Sequence, residues 1–174
     1  MSYFFRKMNQ KEAEEIAYNW NYKGVYSFYD LEADEEDLVE FLDEKKRGNR
    51  TYSVFEGESL VGFFSWTYKN EAANISLGLR PDHTGQGEGL RFLESCLEFL
   101  DSPAVTLDVA LFNGRAIRVY EKAGFREVYR FNQETNGDSY IFVHMEKTAE
   151  KSIRRSYPLG SNDRLGDGST FPTD

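Results

Sequence analysis

Cysteine is almost missing from this chain. Cys96 is the only one in 174 residues, which excludes an intrachain disulfide and any zinc site built on several cysteines. It falls among Leu93, Leu97 and Leu100 and reads as a small core side chain rather than a nucleophile. Histidine is nearly as scarce: His83 lies in a loop without a second histidine nearby and His144 on a terminal strand, so neither reads as a ligand or a base. No stretch approaches the ~18 apolar residues of a membrane span, and the opening MSYFFRKMNQ lacks the apolar run of a secretory signal. These absences point to the cytoplasm and away from a membrane. Positive charge is in deficit too: 21 Lys and Arg against 30 Asp and Glu leave −9, the wrong sign for a nucleic-acid partner, whose phosphates need a basic face. A cationic or amine-bearing partner suits that sign.

What is present is enough for one folded domain. Hydrophobic residues make up 40% and aromatics 16%, too much for a disordered chain. SYFFR reads as a first strand. Asn9 and Glu12 form a capping-box pattern ahead of Ala13, Ile16, Ala17 and Trp20, which predicts a helix over about 10–21. The aromatic stretch NYKGVYSFYD (21–30) reads as a loop, and DEEDLVEFLD as a short acidic helix whose carboxylates are solvated surface rather than a metal site. TYSVF and LVGFFSWTY around EGES form a hairpin pattern, and NISLGLR is a strand ended by Pro81. AVTLDVALF (104–112), a helix over about 113–123, and FREVYRF with SYIFVHM around Asn136-Gly137 complete the order β-α-α-β-β-β-α-β-α-β-β, an α/β domain. Composition shifts after Lys147. Residues 1–147 read as the domain and 148–174 as a tail whose four basic and four acidic residues cancel, so the −9 belongs to the domain.

TGQGEG (84–89) sets three glycines at alternate positions ahead of an apolar helical pattern. Without side chains, backbone N–H groups approach a ligand closely, and the helix start adds unpaired donors and partial positive charge, an arrangement that suits a phosphate. A P-loop is excluded because Glu88-Gly89-Leu90 stands where Gly-Lys-Ser/Thr would be required. A Rossmann loop is excluded by the G-x-G-x-G spacing and by its place after several strands. A plain turn before a core helix remains open from the glycines alone.

Two longer stretches resemble a known family. LGLRPDHTGQGEGLRFLESCLEF (77–99) is similar to the coenzyme A motif of the GNAT N-acetyltransferase superfamily, and FNGRAIRVYEKAGF (112–125) to its second signature, Asn-x-x-Ala-Ile-x-x-Tyr-x-x-x-Gly-Phe. The resemblance implies the GNAT fold: an α/β (α+β) domain with a mixed, mostly antiparallel sheet of six to seven strands, about four helices and a V-shaped splay between the fourth and fifth strands. It implies acetyl transfer from acetyl-CoA to a primary amine, on a small molecule or a peptide N-terminus, with no metal, in a monomer or homodimer. A catalytically weak acyl-CoA-binding regulatory domain is the alternative.

Carried over residue by residue, the resemblance implies that Leu77 and Leu79 pair with the pantetheine arm. The diphosphate would lie over Thr84, Gly85, Gln86, Gly87, Glu88, Gly89 and Leu90. Thr84 replaces a usual Gln or Arg, and Glu88 replaces an aliphatic residue and adds negative charge near the phosphates. Asn113 would contact the pantetheine region or simply cap its helix. Tyr120 would protonate the departing thiolate, with a buried core ring as the plain alternative. Asp108 stands five residues before the motif asparagine, where the ribosomal-protein alanine acetyltransferase-like branch has its glutamate base; alternation groups it with Thr106, Ala110 and Phe112. A solvated or paired aspartate is the plain reading there, and Glu71 is a second candidate base. Tyr22, Tyr26, Phe28 and Tyr29 would wall the acceptor pocket, or else anchor their loop to the core.

Overall fold

The computed structural model of the chain describes residues 2–148, so the tail expected over 148–174 lies, past Thr148, outside the described residues. One seven-stranded sheet runs in the order β1-β2-β3-β4-β5-β7-β6. Its strands are β1 (Tyr3–Lys7), β2 (Thr51–Glu56), β3 (Ser59–Lys69), β4 (Ala72–Leu79), β5 (Ala104–Ala110), β6 (Arg126–Thr135) and β7 (Asp138–Thr148). Every neighbouring pair is antiparallel except β4 and β5. The helices are α1 (Gln10–Asn19), α2 (Glu35–Leu42), α3 (Glu44–Arg47), α4 (Gly89–Leu100) and α5 (Gly114–Lys122).

Several elements follow from local chemistry. Asn9 accepts from the Glu12 N–H at 2.8 Å while the Glu12 carboxylate accepts from the Asn9 N–H at 3.1 Å, so the capping box forms as read. The β6–β7 turn needs positive φ at two residues, and Asn136 (53°) and Gly137 (80°) supply it. The β3–β4 turn meets the same demand without glycine, through Asn70 (51°) and Glu71 (67°). Three sequence readings change. The segment 21–30 is largely a 3-10 helix, Gly24–Tyr29, where a loop was expected. A one-turn helix, α3, follows α2 because Asp43 caps the Lys45 and Lys46 N–H groups. Strand β5 ends at Ala110 rather than 112.

Alternation divides the sheet into two faces. On one, Val54, Phe64, Ile75, Val105, Leu107, Val109, Val143 and Met145 join Phe92, Leu93 and Cys96 of α4 in the main core. Cys96 is fully buried, as its neighbours implied. Burial of each large aliphatic or aromatic side chain here stabilises by roughly 1.5–3 kcal/mol. On the other face, Ile16 of α1, Trp20 at its C-cap and Phe41 of α2 rest on Leu60 and Phe63 of β3. Further along that second face the side chains turn polar.

Strands β4 and β5 pair only at Ala73↔Val105 and Asn74↔Thr106. Beyond that point they diverge, which is the expected V. The Arg80 N–H donates to the Val61 carbonyl of β3, so by alternation Leu79 and Leu77 turn their backbone groups toward the V. The Leu111 N–H donates to Ile141 of β7, which leaves Ala110 facing the V from the other side.

Candidate active site

The glycine loop lies at the wide end of the V. Gly85 (φ 71°) and Gly87 (φ 79°) hold the left-handed conformation that side chains disfavour, and a Cβ on Gly87 would meet nothing within 4 Å. Helix α4 begins directly after, and Glu88 at its N-cap makes no side-chain cap. Side chains cap the other four helices, α1, α2, α3 and α5. The first intrahelical bond of α4 is the Phe92 N–H to the Glu88 carbonyl at 2.9 Å, so the N–H groups of its first turn point outward toward the loop.

The two departures from the coenzyme motif resolve locally. The Thr84 hydroxyl donates to the Pro81 carbonyl at 2.7 Å and closes the turn. Glu88 turns back on a knot of partners: His83 Nδ1 at 3.3 Å, Arg91 Nη2 at 3.5 Å and the Tyr3 hydroxyl at 3.5 Å. Its charge is therefore met by partners within the protein. Glu56, His83 and Glu88 bring ligand atoms within 4.8 Å of one another. Arg91 pairs with Glu56 at 3.0 Å and Arg80 reaches His83 at 3.2 Å, so guanidinium groups already fill that corner. Arg115, which sequence reasoning passed over, puts Nη1 3.5 Å from where a Gly85 Cβ would stand and stacks on the Tyr26 ring at 4.1 Å.

At the V itself, Tyr120 projects from α5. Its half-buried side chain borders the cleft. Burial pushes the phenol well above the ordinary tyrosine range, with Tyr29 and Cys96 acting in the same direction. Asn113 caps α5, accepting from the Ala116 N–H at 3.2 Å, and its side chain also bonds Tyr29. The Tyr29 hydroxyl accepts from the Ala110 N–H at 3.3 Å, on the β5 lip. The Tyr22 hydroxyl donates to the Leu79 carbonyl at 2.7 Å, on the β4 lip. The aromatic segment thus clasps both lips of the V.

Phe28 also ties the segment down. It packs on Phe112 (5.2 Å), Tyr140 (4.7 Å) and Tyr29 (5.1 Å), tying the segment to the β6–β7 hairpin. The Asn136 side chain donates to the Phe28 carbonyl at 2.9 Å and strengthens that tie. Phe28 thus anchors the segment while it borders the cleft together with Tyr22, Tyr26 and Tyr29.

Asp108 lies on the polar face with Thr106, as alternation required, and is a third exposed. It is also paired. His144 Nδ1 stands 2.7 Å from Asp108 Oδ1, and His144 Nε2 stands 3.1 Å from Glu146 Oε2. Strands β5 and β7 bring Asp108 and His144 into direct register across 36 residues, a pairing that no local spacing reveals. Glu71 sits exposed in the β3–β4 turn, at the closed end of the V.

A cleft of about 1870 Å³ joins these parts, running from Gly85, Gly87 and Gly89 past Tyr120 to Asp108, His144 and Glu146. That exceeds the ~300–1,000 Å³ of a single small-ligand site and leaves room for two substrates. Among the described residues no helix is long and apolar enough to cross a membrane.

Comparisons with known proteins agree with this geometry. The family model for the Acetyltransferase (GNAT) family matches residues 11–125. Among solved structures, a chimera of the spermidine N-acetyltransferase SpeG from Vibrio cholerae with hSSAT aligns at TM-score 0.67 and 22% identity, over 88% of this chain and 99% of that one. Spermidine N-acetyltransferase from Vibrio cholerae in complex with CoA and spermine aligns at TM-score 0.65 and 23% identity, over 87% and 98%. A putative phosphinothricin N-acetyltransferase aligns at TM-score 0.63 and 20% identity, over 84% and 98%. No curated protein sequence matches. With the family model covering most of the folded domain and the splayed sheet in place, the chain belongs to the GNAT family of acyl-CoA-dependent N-acetyltransferases, which transfer acetyl from acetyl-CoA to an amine.

Proposed function

We propose that the acceptor is a primary amine on a polycationic molecule and that it attacks the thioester directly. The observation that carries this reading is the V, with an uncapped glycine-helix entrance at its wide end, a phenol on its core side and carboxylates on its open side. The diphosphate lies against the N–H groups of Gly85, Gln86, Gly87 and Gly89, and Arg115 supplies the cation that Thr84 does not. Pantetheine pairs with Leu77 and Leu79, near Asn113, and the Leu79 N–H polarises the thioester carbonyl. The ammonium gives up one proton on the Asp108 side of the V, and its lone pair forms the C–N bond. Collapse breaks the C–S bond, and Tyr120 donates its proton to sulfur; the second proton leaving nitrogen makes up the loss. A phenol whose burial keeps it protonated suits that donor role.

The acceptor class is supported by charge. Asp37 and Glu40 of α2 border the same cleft as Asp108 and Glu146. Partial burial pushes the Asp37 carboxyl above its usual range, and Asp34, Glu40 and Glu36 push it further, a repulsion that a bound polycation relieves. Structural neighbours bear the name spermidine N-acetyltransferase. Asp108 occupies the position of the base in the ribosomal-protein alanine acetyltransferase-like branch, so a peptide N-terminus is the acceptor to test against polyamines.

The experiment is thiol release from acetyl-CoA with spermidine, spermine, butylamine and an alanine-terminated peptide, with products read by mass spectrometry. Preference for the polyamines over butylamine by ~10-fold or more supports the reading, since two or three ion pairs at ~1 kcal/mol each separate them. Turnover of the peptide alone, or of butylamine equally well, contradicts it.

A further inference from the structure

We infer that His144 is the base that takes the amine's proton through Nε2, with Asp108 orienting its ring through Nδ1 and Glu146 holding the incoming ammonium beside Nε2. This rests on the acceptor face proposed above and moves the proton from Asp108 to an imidazole that the family resemblance does not supply.

The ring is held at Nδ1 and on one face, and a second carboxylate stands beside Nε2. Asp108 is its direct cross-strand partner on β5, at 2.7 Å from Nδ1. Glu146 lies two residues on along β7, at 3.1 Å from Nε2. Tyr129, the partner on β6 beyond a register shift, stacks on it with centroids 4.6 Å apart and planes 14° apart. The His144 side chain is only 13% exposed, yet it borders the cleft beside Asp108. A histidine held in this way by side chains from three strands at the narrow end of the V is more than sheet filling.

Chemistry separates the two candidate bases. An alkylammonium and a carboxylate differ by ~6 pKa units in water, whereas an alkylammonium and an imidazole differ by ~4. Asp108 alone therefore makes a poor proton acceptor, and a carboxylate that holds an imidazole N–H makes a good orienting group. With the Nδ1 proton donated to Asp108, Nε2 is the nitrogen that exchanges. The ammonium docks against Glu146, its N–H bond breaks as Nε2–H forms, and the freed lone pair attacks the acetyl carbon. The imidazolium so formed lies between two carboxylates and returns its proton to solvent. The titratable and charged groups around the ring are Asp108 from β5, Glu146 from β7 and Tyr129 from β6, with Arg126 the cross-strand partner of Glu146.

The test uses the full chain with acetyl-CoA and spermidine. H144Q should lower kcat ~100-fold or more, a loss typical of a removed general base, leave KM for acetyl-CoA unchanged and abolish the acid limb of the kcat–pH profile. D108N should shift that limb rather than remove it. A kcat within threefold of wild type for H144Q, or an unmoved profile, overturns the inference. Imidazole nitrogen NMR of the unliganded chain reads the same geometry without turnover: a hydrogen-bonded Nδ1–H signal that D108N abolishes supports it, and identical ring spectra in the two proteins overturn it. If instead wild type shows neither turnover nor binding heat with acetyl-CoA, the transfer reading fails, while the ring spectra still decide the triad.

Discussion

The two sides of the V are built from different materials. The side we assign to the coenzyme presents main chain: N–H groups at the start of α4, glycines at positive φ, and the strand edge at Leu77 and Leu79. The side we assign to the acceptor presents side chains: Asp108, His144 and Glu146 from two strands, Tyr22 and Tyr29 from the aromatic segment, and Asp37 and Glu40 from α2. A diphosphate and a pantetheine arm can be met by backbone because the same groups arrive in every turnover. An acceptor amine must be told from other amines, and that takes side-chain charge placed at set distances.

The largest expected break of this contrast is Tyr120→Phe, which removes the one side-chain chemistry assigned to the core side. Thiol release should fall ~100-fold or more while acetyl-CoA affinity holds, because general-acid donation is lost and binding is not. Equal loss of affinity would mean that the ring is mainly packing. Gly87→Ala is next. Its φ of 79° costs an alanine ~1–2 kcal/mol, which predicts acetyl-CoA binding weaker by ~5–30-fold in calorimetry, with acceptor KM unchanged. Arg115→Ala should weaken acetyl-CoA binding several-fold and flatten its salt dependence, since a cation beside the Gly85 turn is removed.

The smallest effect concerns the strut that carries the acceptor side. Asp34 caps α2 and accepts from the Asn136 N–H and the Thr135 hydroxyl, both at 3.0 Å, joining α2 to the β6–β7 hairpin. Those hydrogen bonds, Asn136 first, hold its carboxyl below the usual range. A lowered folded value means that the stabilisation is present above the unfolded value of ~3.9 and is lost as pH falls through the folded one. Asp34→Asn should therefore lower the Tm at neutral pH and leave it nearly unchanged at the acid extreme. Asp37 works with the opposite sign: its raised carboxyl carries a penalty above its usual value that acidification relieves.

The same contrast explains what the sequence disclosed. Backbone chemistry leaves local marks, because a loop that must shed side chains writes Gly85, Gly87 and Gly89 within five residues, and Asn113 and Tyr120 keep one helix's spacing. The capping box at Asn9 and the Asn136-Gly137 turn are legible for the same reason. His144 was not legible, since its meaning arises only when β7 docks beside β5 and sets it opposite Asp108. The fate of Glu88 was hidden as well: its partner Tyr3 lies 85 residues away. The Gly24–Tyr29 helix escaped because aromatic residues with one glycine carry no helical period.

A crystal structure of the full chain with CoA tests the central claim most directly. The diphosphate should sit on the N–H groups of Gly85, Gln86, Gly87 and Gly89 with the pantetheine along Leu77 and Leu79 and its sulfur beside Tyr120. A diphosphate bound elsewhere, or a cleft left empty at saturating CoA, would contradict the account.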